Sequence, residues 1–319
     1  MVWVYFSIIS LIVITFGFLL AKQADKLAEA KNLGKGLIGF VLLGFTTSIP
    51  ELITTLSSTV ILDNPLMGCG NIIGSNNANL FILFSSLIMV KTLRKKNGKH
   101  DRESLISLAF CLIITIVFII AVFNSGKPEV LTAPAYCYLI IIMFFMSIYE
   151  LYKIGTAEIA EKEKEKLSHG FYIRLILSFA VLIIASYYLS VVVDKISKET
   201  SFGATQSGAI FLAWSTSLPE FAVTVAALII GSSELGIGNI LGSNIFNMFV
   251  ISLSEIFSRS SKPVFTFDTS IIFLSMLQML LLFLLLLALS GKTMLKIWKI
   301  SIIPLFSILL YIGGMVIIF

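Results

Sequence analysis

The chain has 319 residues, 57% of them hydrophobic and only 13% charged, with a mean hydropathy of +0.99 and a formal net charge of +5 at pH 7. A soluble domain carries about 25% charged residues, so this much apolar surface excludes a single water-soluble core and makes the bilayer the natural solvent. The basic residues stand in short runs between apolar segments and form no basic face interleaved with aromatics, which argues against nucleic acid as a partner.

A helix needs roughly 20 apolar residues to cross the hydrocarbon core. By that measure the chain contains ten spans, near 2–20, 36–60, 65–90, 104–123, 131–152, 171–193, 203–230, 235–257, 267–289 and 296–318. The first lacks a basic leader and a small-residue cleavage site, so it reads as a retained helix and not as a signal peptide. The turn-rich connections Asp63-Asn64-Pro65 and Gly231-Ser232-Ser233-Glu234 predict antiparallel hairpins between spans 2 and 3 and between spans 7 and 8. The charge-alternating stretch from Glu161 to Lys166 reads as a solvated linker, over 153–170, between five spans and five spans. Cys69, Cys111 and Cys137 fall in apolar segments without CxxC spacing and are expected to be buried thiols. His100 and His169 lie in charged loops, which leaves no histidine metal site within the membrane.

With the N-terminus outside, the cytoplasmic connections hold 17 Lys and Arg and the external ones 5. The positive-inside rule therefore predicts a multi-pass cell-membrane protein with both termini extracellular and the 153–170 linker cytoplasmic.

The chain repeats itself. Residues 46–51 read TTSIPE and 215–220 read STSLPE; residues 68–81 read GCGNIIGSNNANLF and 236–249 read GIGNILGSNIFNMF. The offsets are 169 and 168, and nine of the fourteen downstream positions match. Chance agreement between apolar segments would fall on Leu, Ile and Val, whereas these identities fall largely on Gly, Asn, Ser, Pro and Glu. Each copy occupies the second and third spans of a five-span half, and an odd number of spans inserts the second half from the opposite side. The expected fold is an all-α membrane protein: ten transmembrane helices as two inverted five-helix repeats, with helices 2 and 7 discontinuous. Residues 1–152 form the first repeat (motif 44–81) and 171–319 the second (motif 213–249). Such transporters bind substrate near the midplane, at broken helices.

Pro50 and Pro219 stand inside apolar spans. Each lacks an N–H, so the carbonyls of Thr46 and Ser215 lose their helical partners. An unsatisfied carbonyl in hydrocarbon is costly unless it lines a cavity or binds an ion. Glu51 and Glu220 follow directly, and a carboxylate at mid-membrane costs at least ~2.5–3.5 kcal/mol. A bound cation offsets both terms. The available ligands are all oxygen: two carboxylates, the hydroxyls of Thr47, Ser48, Thr216 and Ser217, and freed carbonyls. Ser75 with Asn79, and Ser243 with Asn247, add hydroxyl and amide oxygens four residues apart on one helix face. Oxygen-only ligation selects Na⁺, Ca²⁺ or Mg²⁺, and a largely dehydrated cage disfavours Mg²⁺. Taken singly, a membrane proline is usually a kink, a Gly70-to-Gly74 spacing is helix packing, and the asparagines of the GSN stretches bridge helices. GIGNILG is spaced GxGxxxG after no soluble strand, which argues against a dinucleotide site. Joint duplication with a mid-membrane glutamate favours the ion site.

These residues resemble the cation/calcium antiporter superfamily, whose repeats carry GTS-x-PE followed by GN-x-x-GS-x-x-x-N or -D, and within it the prokaryotic type of the sodium/calcium exchanger branch. The resemblance implies one calcium site flanked by sodium sites, occupied alternately. Glu51 and Glu220 would bind calcium with the carbonyls of Thr47 and Thr216; sodium sites would use Ser48, Ser75, Ser217 and Ser243 with carbonyls at Gly44 and Ala213; Asn79 and Asn247 would line the centre. It also implies that spans 1 and 6 slide across the other eight to switch access. Thr46 and Ser215 replace the family glycine, and Asn247 stands where the potassium-dependent branch has aspartate, which counts against potassium coupling. The expected activity is Na⁺-for-Ca²⁺ antiport, electrogenic because excess sodium leaves positive charge in the core. Ca²⁺/H⁺ antiport is the alternative, since two close carboxylates can hold a proton in place of sodium; a cation channel and an intramembrane hydrolase are weaker ones. No cofactor, no enzymatic chemistry and a monomer are expected, with Ca²⁺ and Na⁺ as substrates and the lipid bilayer as surroundings.

Overall fold

The computed structural model describes residues 2–61, 64–90, 102–125, 133–157, 166–199, 217–258, 265, 268–290, 296–297 and 300–318. Helix α1 (Val2–Lys31) runs well beyond the apolar stretch that ends near Leu20. Its continuation, AKQADKLAEAK, is rich in Ala, Lys, Glu and Leu, so helix propensity persists where hydropathy stops. It ends in a Schellman turn. Asn32 adopts φ 53°, Leu33 N–H donates to the Ala28 carbonyl at 2.9 Å, and Asn32 N–H to the Glu29 carbonyl at 3.3 Å.

Next comes a broken span, α2 (Lys35–Thr47) and α3 (Ile49–Ile61), bent by 46° at Ser48. Each half contains one turn of π-helix, Gly39–Leu43 and Ser57–Ile61, a local distortion often found at functional sites. Helix α4 (Pro65–Val90) starts from Asn64, whose Oδ1 accepts the Met67 N–H at 3.1 Å, with Pro65 at the first helical position. The remaining helices are α5 (Arg102–Phe123), α6 (Ala133–Ala157), α7 (His169–Glu199), α8 (Leu218–Ile229), α9 (Ser233–Phe257), α10 (Thr269–Leu289) and α11 (Ile302–Ile318). His169, expected in a loop, opens α7. The turn from α8 to α9 uses Gly231 at φ 86°, and Ser232 N–H donates to the Ala227 carbonyl at 2.9 Å.

Seven of these helices are long and apolar enough to cross a membrane, and the bent pair makes an eighth. Helices α8 and α11 are shorter apolar helices in the places expected for spans 7 and 10. Residues 203–216, the first part of span 7, lie outside the described residues, as do Asp63, His100 and the charge alternation from Glu161 to Glu165. Helix α11 begins at Ile302, later than the 296 expected for span 10, after a two-residue antiparallel pairing of Lys296–Ile297 with Ile300–Ser301. Cys69, Cys111 and Cys137 are free thiols in the interior.

Helices α4 and α9, which carry the repeated GN…GSN stretches, are mostly buried, whereas α1, α6 and α7 turn much of their surface outward. The exterior is apolar: Leu11, Phe145, Ile176, Phe283 and Ile317 are all exposed. Buried apolar side chains fall into two clusters. The larger joins α4, α5, α9 and α10 through residues such as Phe84, Phe118, Leu241 and Leu281. The smaller joins α1 and α7 to α8 through Val13, Leu20, Leu182, Leu189 and Val223. Lipid gives helices little hydrophobic reason to associate, so close packing of small residues matters more. At the crossing of α2 and α9 the backbones touch. A Cβ on Gly44 would stand 2.8 Å from the Ser243 nitrogen, and one on Gly242 would run into the Phe40 backbone.

Candidate cation site

The two Ser-x-Pro-Glu sequences start the helices that follow them in the same way. Ser48 has φ −91° and ψ 9°, and Ser217 has φ −85° and ψ 10°. Each serine precedes a new helix with proline in its first turn, where a missing N–H costs nothing. The main chain resumes by the same bond in both: Leu52 N–H to the Ser48 carbonyl at 3.1 Å, and Phe221 N–H to the Ser217 carbonyl at 3.1 Å. Glu51 and Glu220 therefore lie in the first turn of α3 and of α8, at helix N-termini, yet both are buried at 2% and 0% exposure.

The first broken helix meets α8 and α9 here. Ser48 Oγ donates to Glu220 Oε1 at 3.3 Å. Thr47 Oγ1 lies 3.2 Å from Ser243 Oγ and 3.1 Å from the Leu43 carbonyl to which it donates. Ser243 Oγ donates to the Gly44 carbonyl at 3.2 Å, which also receives the Ser48 N–H at 3.3 Å. Glu51 and Glu220 open α3 and α8, and Ser48, at the head of α3, reaches the Glu220 carboxylate. No lysine or arginine among the described residues pairs with either.

Seven buried oxygens of the expected ligand set accept or donate no hydrogen bond among the described residues: Glu51 Oε1 and Oε2, Glu220 Oε2, Ser75 Oγ, Ser217 Oγ, Asn79 Oδ1 and Asn247 Oδ1. A buried polar group without a partner costs about 1–3 kcal/mol. A set of this size is thus comparable with the whole stability of a folded domain, ~5–15 kcal/mol. Buried acceptor oxygens of this kind are satisfied by a hard cation, and Ca²⁺ takes about 6–8 of them. Thr216 and Ala213, also expected as ligands, lie outside the described residues.

The asparagines of the GSN stretches bridge α4 and α9. Asn76 Nδ2 donates to the Asn244 carbonyl at 3.3 Å, and Asn244 Nδ2 returns the bond to the Asn76 carbonyl at 3.2 Å. Asn79 Nδ2 donates to Asn244 Oδ1 at 3.0 Å, and Asn247 Nδ2 to Asn76 Oδ1 at 2.9 Å. A second matched pair ties each α4-type helix to the Pro-Glu helix before it: Asn71 Nδ2 to Thr55 Oγ1 at 3.0 Å, and Asn239 Nδ2 to Thr224 Oγ1 at 2.9 Å. The signal was present in the sequence, because Asn71/Asn239, Asn76/Asn244 and Thr55/Thr224 recur at the same 168 or 169 offset.

A family model described as sodium/calcium exchanger protein matches residues 1–151 and 171–319. The chain is 24% identical over 337 residues to the sodium/calcium exchanger MaX1 of Methanosarcina acetivorans, covering 93% of each chain. It is also 24% identical over 240 residues to a putative antiporter, CaxA, of Alkalimonas amylolytica, covering 72% of each. Among solved structures it superposes on the sodium-calcium exchanger NCX_Mj with a TM-score of 0.75 at 19% identity, covering 99% of both chains, which establishes a shared fold.

Proposed function

Since the chain belongs to the sodium/calcium exchanger family, in the cation/calcium antiporter superfamily, we propose that it exchanges Na⁺ for Ca²⁺ across the membrane as a secondary active antiporter. The observation that carries this reading is the set of buried oxygens on Glu51, Glu220, Ser75, Ser217, Asn79 and Asn247 that find no hydrogen-bond partner among the described residues. Calcium takes the two carboxylates with the carbonyls of Thr47 and Thr216. Sodium takes the hydroxyls of Ser48, Ser75, Ser217 and Ser243 with carbonyls at Gly44 and Ala213, while Asn79 and Asn247 line the centre.

The protein works as ten spans in two inverted halves, 1–152 and 171–319, with both termini outside and 153–170 in the cytoplasm. One Ca²⁺ neutralises two carboxylates, whereas more than two Na⁺ leave a positive core, so exchange is electrogenic. Access alternates as α1 and α7 slide across the rest. Ala21, Ala24 and Ala28, buried along α1 in the cluster that joins α1 and α7 to α8, support that motion, because small side chains make a smooth seam.

The test is Ca²⁺ flux in proteoliposomes under Na⁺, K⁺ and H⁺ gradients imposed one at a time. Only the Na⁺ gradient is expected to drive uptake, and Glu51→Gln or Glu220→Gln to abolish it. Near-normal flux in either variant would sink the site assignment; uptake driven by a pH gradient without sodium would overturn sodium coupling.

A further inference from the structure

We propose that Asn76 and Asn244 are positioning residues, each of which fixes the direction in which the site asparagine on the opposite helix points its carbonyl oxygen. This rests on the reading of Asn79 and Asn247 as lining the ion site. The main-chain carbonyls of residues 76 and 244 can only accept. Asn76 Nδ2 faces the Asn244 carbonyl at 3.3 Å and Asn244 Nδ2 faces the Asn76 carbonyl at 3.2 Å. Rotating either amide by half a turn would set oxygen against oxygen, so both amides are locked.

The locked oxygens then dictate the next pair. Asn76 Oδ1 takes the Asn247 amide nitrogen at 2.9 Å, and Asn244 Oδ1 takes that of Asn79 at 3.0 Å. With their nitrogens held in the seam between α4 and α9, Asn79 and Asn247 have their oxygens left over, buried and without a donor among the described residues. An amide is two-faced toward a cation: its oxygen binds and its N–H₂ repels. Left free, either amide could turn the repelling face inward. The neighbouring Asn77 serves a different purpose, donating to the Ile73 and Leu274 carbonyls at 2.9 and 3.0 Å and tying α4 to α10.

The experiment compares purified Asn76→Leu, Asn244→Leu, Asn76→Asp, Asn77→Leu and Glu51→Gln by thermal unfolding over a Ca²⁺ titration. Removing a buried partner should raise half-saturating Ca²⁺ about ten- to hundredfold in Asn76→Leu and Asn244→Leu. Asn76→Asp keeps an acceptor for Asn247 but loses the donor to the Asn244 carbonyl and buries a charge, so its ion-free melting temperature falls while Ca²⁺ binding weakens less than in Asn76→Leu. Asn77→Leu should melt lower with unchanged half-saturation. If a Leu variant fails to fold, Asn76→Ala against Asn76→Asp makes the same comparison. A helix-bridging role alone requires Asp to be at least as harmful to Ca²⁺ binding as Leu, and that result would overturn the proposal. Ca²⁺ stabilisation that survives in Glu51→Gln defeats the site reading, whereas its loss there beside unchanged Leu variants defeats the positioning role alone.

Discussion

Replacing Gly44 by alanine probes how tightly the site depends on the crossing of α2 and α9. The new Cβ would lie 2.8 Å from the Ser243 nitrogen, 2.9 Å from the Gly242 carbonyl carbon and 3.1 Å from the Asn239 carbonyl oxygen. Non-bonded carbon atoms rest at about 3.5–4.0 Å, so the two backbones must part by roughly 0.5–1 Å. All three obstacles are main chain, so α9 has to move as a body. That motion carries Ser243 Oγ away from the Gly44 carbonyl and from Thr47 Oγ1, both now at 3.2 Å, and past the limit of a useful hydrogen bond. Overpacking of this kind costs about 1–3 kcal/mol, which corresponds to a five- to more than hundredfold rise in half-saturating ion concentration if it falls on the bound state. The assay is Na⁺-driven Ca²⁺ uptake in proteoliposomes, with melting temperature measured on the same preparation. Gly313→Ala is the control, because a Cβ there meets nothing within 4 Å among the described residues. A Gly44→Ala protein with wild-type half-saturation and melting temperature would refute the claim that backbone contact at this crossing sets the site.

Glu103 and Lys35 give two further predictions. Gly36 N–H donates to Glu103 Oε2 at 2.7 Å, placing a buried carboxylate at the N-terminus of α2, where it also meets the positive end of the helix dipole. Glu103→Ala should cost about 1.5–3 kcal/mol and lower the melting temperature by several degrees, with Glu103→Gln losing less; a shift below about 1 °C in the alanine variant would contradict it. Lys35 Nζ bonds Asp25 Oδ1 at 2.6 Å and Glu29 Oε1 at 2.8 Å, tying the end of α1 to the start of α2. Because these groups are partly exposed, Lys35→Met should cost no more than about 1–2 kcal/mol in low salt, and the difference should shrink in choline chloride. A loss that is insensitive to salt would mean the lysine acts by packing.

Local contradictions were the legible part. A proline and a glutamate inside an apolar run violate the rules of the surrounding segment, so Pro50–Glu51 and Pro219–Glu220 stood out, and their duplication lent each the weight of the other. The broken second span at 36–60 and the α4 boundaries at 65 and 90 followed from hydropathy and turn chemistry alone. What escaped depends on which helices meet. Hydropathy cannot say that α1 lies along α7, that Gly44 faces Ser243, or that Asn76 faces Asn244. Nor does it show α1 continuing to Lys31, because helix propensity outlasts the apolar run there. The hydrogen bond that the Gly44 carbonyl accepts from Ser243 depends on the α2–α9 crossing, which no single segment displays.

The reciprocal bonds between Asn76 and Asn244 have the character of an isologous contact, in which each partner offers the same surface to the other. In a homodimer one substitution at such a contact necessarily appears twice. Here the two copies are written separately in one chain, so a change at residue 76 strips a donor from the main chain of 244 and an acceptor from the side chain of 247 while leaving its own counterpart intact. A lone change therefore breaks a pairing that only a matching change could restore. Divergence between the halves is easiest at the periphery and hardest at this central seam, where each half holds the other's asparagine in register.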